Sequence, residues 1–410
     1  MTAKQMERCR QRLKAYLEEM LTPLGRSERR YWGSVYVRGL LLDGERKSVG
    51  AMATRLSEAN EQNLQQFLNQ SPWAWELVWH AMADRIESSF PPVEAWVIDD
   101  TSFPKKGEHS VGVQRQYCGA LGKKANCQVA VSLHRTDRSG SSPFGFRLYL
   151  PEIWTDDRDR RQRAGVPDQV GFQKKWELAL ELIDRAFAWG VEKPLVVLAD
   201  SGYGDNGAFR RGLEQRGLPY AVGITRDVVV WTEPPTYSIP GAPRAPGPKP
   251  KRITYGAQRP LSVEEVARQN RLRFRTLTWR KGSRGPMRSC WWAGRVQTAW
   301  HWQEGEKPGP ELWLLIEWPK EEAAPTKYYL CDLSKEFSLK RLVQMARGRW
   351  RVELDYQQMK EELGLDHFEG RSWTGWHHHV TMVMLAHLFL RLEQKRRSSK
   401  RKMDPARDAA

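Results

Sequence analysis

The sequence predicts an α/β fold with an N-terminal helical domain and a β-rich insertion. Three observations predict it. Helix-period apolar stripes fill the first 90 residues, short apolar strands alternate with amphipathic helices from about 93 to 225, and a Trp- and Arg-rich strand-like block follows a Pro/Gly-rich stretch. The chain has 410 residues, 40% hydrophobic and 28% charged, enough for a large core and two or three domains.

Residues 1–90 read as helices and as a DNA-binding domain. Val49, Met52, Ala53 and Leu56 fall at helical spacing behind Ser48, a good N-cap, and Leu64, Phe67 and Leu68 begin another stripe. Two short helices behind Arg46 and Lys47 fit a helix-turn-helix that reads DNA, and fit a plain helical packing domain equally well. In residues 91–226, Trp96-Val97-Ile98 is a short strand ending in Asp99-Asp100, and 111–118, 126–134 and 145–150 are further strands. Residues 169–189 form an amphipathic helix marked by Phe172, Trp176, Ile183 and Phe187. Leu195 to Ala199 is a buried strand ending at Asp200, followed by a helix near 206–216 and a strand near 219–224. That order is the one expected of an RNase H-like core.

Glu233 to Lys251 reads as a loop, and residues 227–335 as a β-rich insertion with strands at Arg271–Arg280, Cys290–Trp302 and Leu312–Trp318. Helices resume behind Ser338, so residues 336–393 return to the core. Residues 394–410, with Lys395-Arg396-Arg397 and Lys400-Arg401-Lys402, read as a basic disordered tail.

The formal charge of +17 calls for a polyanionic partner. No apolar run reaches the roughly 18 residues of a membrane span, and the polar first residues do not suggest a secretory signal, so nucleic acid is the expected partner. Cys9, Cys118, Cys127, Cys290 and Cys331 form no C-x-x-C pair, which argues against a zinc knuckle and fits unpaired core cysteines in a reducing compartment. His377-His378-His379 project about 100° apart on a helix and cannot jointly chelate one ion.

Three acids stand where sites are built. Asp99 (or Asp100) and Asp200 end apolar strands, and ligands of open α/β sheets gather outside strand carboxyl ends. Two close carboxylates repel unless a cation lies between them, and hard oxygen donors suit Mg²⁺. Strand-end aspartates are also common turn formers. Residues 346–364 read as one helix, on which Arg349, Glu353 and Lys360, at spacings of four and seven, share a face. Such a face is either a phosphate-holding rim around an ionised glutamate or a solvated row of ion pairs.

Arg349-Trp350-Arg351-Val352-Glu353, followed by Lys360, resembles the R-W-x-[IV]-E-x6-K core of bacterial insertion-sequence DDE transposases. The signature of that superfamily is Y-x2-R-x3-E-x6-K, and Ala346 stands at its tyrosine position. Asp200-Ser201-Gly202-Tyr203 is similar to the family's D-[SRA]-G-Y turn, and Asp99-Asp100-Thr101 to its D-[DE]-T segment. Further likeness covers Ser110 to Tyr117, Asn126 to Val129, and Gly39-Leu40-Leu41 with Arg46-Lys47, spanning nearly the whole chain.

The resemblance implies a transposase that cleaves transposon ends and transfers strands into target DNA with Mg²⁺, for which Mn²⁺ can substitute. Asp99, Asp200 and Glu353 would be both catalytic residues and metal ligands, with Asp100 the alternative to Asp99, since neighbours on a strand point to opposite faces. Arg349, Lys360, Lys105, Lys106, Arg46 and Lys47 would hold DNA. The partners implied are double-stranded DNA with terminal inverted repeats and target DNA, bound by a dimer in the bacterial cytoplasm at the nucleoid, with no membrane. Two other readings stay open: a DNA-binding regulator derived from a transposase, and an RNase H-like nuclease without joining activity. Trp291, Trp292, Trp300 and Trp302 are either core or platforms for a flipped base.

Overall fold

The computed structural model describes residues 2–240, 251–282 and 285–403. The chain divides into two compact units, Met1–Lys193 with Trp350–Ala410, and Pro194–Arg349. The fold is mixed α/β, as expected. Part of the loop expected at 233–251, and the last residues of the basic tail, lie outside the described residues.

The first unit opens with helices α1 (Ala3–Met20), α2 (Ser27–Leu41), α3 (Val49–Ala53), α4 (Glu61–Asn69) and α5 (Trp75–Ser89). Thr2 and Gln5 form a capping box on α1, and the Asn60 side chain caps α4. Strands β1 (Ala95–Pro104), β2 (Gln114–Cys118), β3 (Lys123–Asp137) and β4 (Gly140–Leu148) follow. The long β3 is the spine of this sheet, antiparallel to β1 along one edge and to β2 and β4 along the other. Helices α6 (Glu152–Thr155), α7 (Arg158–Ala164) and α8 (Lys175–Ala188) complete this stretch.

In the second unit, β5 (Val196–Ala199) leads through α9 (Ser201–Gly204) and α10 (Gly207–Gln215) to β6 (Tyr220–Ile224), which runs parallel to β5. Then come β7 (Val229–Trp231), β8 (Tyr237–Ser238), β9 (Thr254–Tyr255), β10 (Leu261–Ser262), α11 (Val263–Gln269), β11 (Arg275–Gly282), β12 (Gly285–Thr298), β13 (Glu311–Glu317), β14 (Lys327–Asp332) and α12 (Leu339–Ala346). The β-rich block is not a free-standing module. β14 pairs with β6, opposing Leu330 to Val222, and β13, β12 and β7 extend the same sheet outward.

The chain returns to the first unit with α13 (Trp350–Gln357), and the last described element is α14 (Trp373–Met403). Helix α14 therefore runs past the boundary expected for a tail at 394. Its stretch from Val380 to Leu388 is buried on every side, and the N-terminal helices wrap it. Tyr16 Oη donates to the Leu385 carbonyl, Trp79 Nε1 donates to Thr381 Oγ1 at 2.9 Å, and Tyr36 Oη meets His379 Nδ1 at 2.8 Å.

The stretch 346–364 is not the single α-helix that the pattern predicts. A 3-10 turn at Arg347–Arg349 interrupts it, and a π turn at Gln358–Glu362 closes on Gly364, whose φ is +68°. A π turn inserts a residue relative to α-helical phase, so Lys360 leaves the face that a regular helix would give it.

The three consecutive histidines sit inside this helical core with separate partners. His377 Nδ1 meets the Trp373 carbonyl, His378 stacks on Trp73 at 3.6 Å and meets the Leu68 and Trp73 carbonyls, and His379 meets Tyr36 and the Gly364 carbonyl. Burial pushes His378 down to about 4 and His379 down to about 3. Both are neutral when folded at pH 5.5, whereas unfolded histidine titrates near 6.5. Stability is thus complete above about pH 6.5 and falls as pH drops below it, by about 1.4 kcal/mol per ring at pH 5.5. The melting midpoint is expected to drop clearly between pH 7.5 and 5.5; equal midpoints would mean that these rings are not buried in the neutral form.

Candidate active site

Strand β1 carries two adjacent carboxylates, and its register sorts them. Asp99 opposes Ser132 and Asp100 opposes Val131 on β3. Directly opposed residues of an antiparallel pair share a face, and neighbours along a strand do not. The Asp99 face is covered by α13: Tyr356 Oη and Ser132 Oγ lie 2.5 Å apart, and His134, two residues along, meets Asp355 at 2.9 Å. The Asp100 face is covered by α8: Lys175 Nζ stands 2.5 Å from Asp100 Oδ2, and Arg147 reaches Glu181 at 3.2 Å. Asp99 is 7% exposed, and its Oδ1 accepts the Asp100 backbone N–H.

Helix α13 places Glu353 at the rim of the same face. Val352, Asp355 and Met359 form the buried stripe, while Glu353 and Tyr356, three residues apart, form the neighbouring one. Glu353 is exposed and Asp355 is buried behind it. The Tyr356 hydroxyl is pushed well up, first by burial and then by the charge of Asp99, with the Ser132 contact acting the other way. The Tyr356 hydroxyl and the Asp99 carboxylate therefore stand near one another on the face where α13 lies. Sequence reading missed this tyrosine; its spacing of three from Glu353 was the available signal.

In the second unit, Asp200 ends β5 as the N-cap of α9, with Oδ1 accepting from the Gly202 N–H at 3.0 Å. Gly204 of this turn is a steric necessity. A Cβ on Gly204 would lie 1.9 Å from the Gly223 carbonyl oxygen of β6. The 3-10 turn holding Arg349 lies over β5, since a Cβ on Gly348 would be 3.1 Å from Leu198. Asp200 and Arg349 are both partly exposed.

The cations expected to hold DNA fall into two groups. Lys47, Lys105 and Lys360 turn inward: Lys47 Nζ donates to the Leu42 carbonyl, Lys105 Nζ to the Phe368 carbonyl at 2.6 Å, and Lys360 Nζ to the Ser102 carbonyl at 3.0 Å. Burial lowers the pKa of all three. Lys106 and Arg46 are exposed, and Arg46 pairs with Glu369 at 2.9 Å.

Of the four insertion tryptophans weighed as base platforms, Trp291 is fully buried, edge-on to Trp279. Trp300 lies under the Arg211 guanidinium at 4.2 Å, Trp302 packs edge-on to Trp231, and Trp292 stacks with Phe274. All five cysteines are free, and four are buried. Among the described residues, no group of three or more His, Cys, Asp or Glu side chains forms a ready-made metal cluster. No helix among them is long and apolar enough to cross a membrane.

A family model described as DDE superfamily endonuclease matches residues 19–286. That stretch contains Asp99, Asp100 and Asp200, and it ends before Arg349, Glu353 and Lys360. Among relatives, the chain is 32% identical over 191 residues to a protein of Microchaete diplosiphon described as "Probable transposase for insertion sequence element IS701". The match covers 45% of this chain and 46% of that protein, so the chain spans less than half the length of this relative.

Proposed function

The chain belongs to the DDE superfamily endonuclease family, and from that premise we propose that it is a transposase, with Asp99, Asp200 and Glu353 as its three catalytic carboxylates. In this reading it cleaves the ends of a mobile element, which carry inverted repeats, and joins them to target DNA as a dimer. The observation that carries the choice of acids is the register of β1. It gives Asp99 the face covered by α13, the helix of Glu353, and gives Asp100 to Lys175 on the other face.

DDE enzymes work with divalent metal ions, and three carboxylates are the hard oxygen donors that Mg²⁺ or Mn²⁺ prefers. The metal assignment rests on this donor chemistry and on family membership. Bound there, two such ions would supply an activated oxygen nucleophile and stabilise the leaving oxygen of an in-line phosphoryl transfer.

The chain's own part is placement. Asp99 is fixed on the central part of a paired strand and Asp200 by its N-cap bond, so neither is carried by a loose loop. Arg349, held on the turn over β5, would clamp a phosphate with its planar fork. Lys106 and Arg46 would contact the DNA backbone from the surface. Lys47, Lys105 and Lys360 would act indirectly, by pinning the segments that surround the site.

The test is nicking and strand transfer of a labelled element end by the purified protein with Mg²⁺. Asp200→Asn and Glu353→Gln are expected to lose both activities by about a thousandfold, roughly 4 kcal/mol of barrier, while still binding the DNA. Retained cleavage in either variant would remove that residue from the reading. Cleavage by the wild type without any joining would mean a nuclease rather than a transposase.

A further inference from the structure

We infer that the sheet face of Asp99 continues, at the far end of β3, into a basic cleft that binds the phosphate backbone of the same duplex DNA. The inference rests on the transposase reading above for its substrate and adds where that substrate lies. On the β2–β3 ladder, Arg115 opposes Asn126 and Tyr117 opposes Lys124. Asn126 and Lys124 are an even number of residues from Ser132, so these four side chains share the face that carries Asp99. Arg115, Tyr117 and Lys124 are exposed, Tyr117 by 64%.

Arg115 and Asn126 also line a cleft of about 770 Å³, together with Arg160, Arg163 and Arg371. Against these four arginines the lining offers Glu108 and Asp157, and Asp157 Oδ1 is taken up by the backbone N–H of Arg160. Arg160 is built into the wall: its guanidinium lies 3.9 Å from the Trp154 ring centre and donates to the Glu108 carbonyl. Asn126 ties the preceding loop to the sheet by donating to the Lys105 and Gly107 carbonyls. A fixed concavity with excess arginine, flanked by an exposed tyrosine and lysine, suits a phosphodiester backbone with a sugar or base against the ring.

Six residues separate Asn126 from Ser132, so the cleft lies about 20 Å along β3 from Asp99. At 3.4 Å per base pair this is about six base pairs. The cleft would grip the duplex roughly half a helical turn from the phosphate that is cut.

The experiment measures binding of a labelled random-sequence duplex of about 40 base pairs, by anisotropy, between roughly 50 and 200 mM salt. The variants are R115A/R163A, Tyr117→Ala, and the control R8A/R10A on exposed α1. R115A/R163A is expected to bind roughly tenfold or more weakly at low salt and to reduce the slope of log K against log salt by about two. Tyr117→Ala is expected to weaken binding with the slope unchanged, because it removes no charge. The control is expected to match the wild type.

A cleft variant with the affinity and slope of the wild type overturns the cleft and leaves the transposase reading standing. Equal losses in R115A/R163A and R8A/R10A overturn it too, since only overall charge would then matter. A wild type that binds no duplex and nicks no DNA overturns both readings.

Discussion

Asp99→Asn is expected to slow Mg²⁺-dependent cleavage by about a thousandfold or more, and Asp100→Asn by no more than about tenfold. The two residues are neighbours of the same chemical type, so the contrast isolates geometry. Asp99 lies on the α13 face beside Tyr356 and is almost fully buried. Asp100 faces α8 and is held by Lys175, with side-chain exposures of 29% and 38%. A pair so open to solvent is worth at most about 1 kcal/mol, so its loss leaves the fold intact. Single-turnover nicking of a labelled end by both variants decides. The reverse order, with Asp100→Asn inactive and Asp99→Asn active, would reassign the ligand and turn the site to the α8 face.

This contrast also marks how far the sequence could be read. An apolar strand ending at Asp200 was visible as a pattern, because a strand buried on both faces reads as an apolar run whose end is abrupt. The strand expected to end at Asp99-Asp100 instead runs on to Pro104 and holds both aspartates in its middle. The family motifs were visible because they join residue types whose chemistry is interdependent. Which aspartate faced which helix was not visible, because that depends on the β1–β3 register, which brings together residues more than thirty positions apart. The inward lysines were hidden for a related reason. Lys105 and Lys360 look like surface cations in sequence, and only the fold shows that their targets are the carbonyls of Phe368 and Ser102. The break of the helix at residues 358–362 was equally hidden, although Gly364, where it closes, was in plain view. The insertion was legible as strands but not as part of the main sheet, since pairing of β14 with β6 joins segments about a hundred residues apart.

Asp355→Ala is expected to destabilise the first unit by about 3–5 kcal/mol, the cost of removing one member of a buried charged network. Asp355 lies behind Glu353 on α13, 2.9 Å from His134 of β3 and 3.6 Å from His387 of α14, so one carboxylate ties together a strand and two helices. Burial by itself would raise its pKa, but the His134 hydrogen bond and the charges of His387 and His134 outweigh burial and hold it below the usual carboxylate range. The sign follows from that direction. The Asp355 contribution is complete above about pH 4, where the unfolded carboxyl is ionised, and is lost as pH falls through the lower folded value. His378 and His379 lose theirs earlier, from about pH 6.5 downward, so acid should weaken this unit in two stages. Denaturant unfolding of Asp355→Ala and Asp355→Asn at pH 7.5 separates shape from charge, because asparagine keeps an acceptor for His134 and should cost less. If alanine costs under about 1 kcal/mol, the network does not hold α13 to the sheet. The rim position of Glu353 would then have to come from the buried Val352 and Met359 alone.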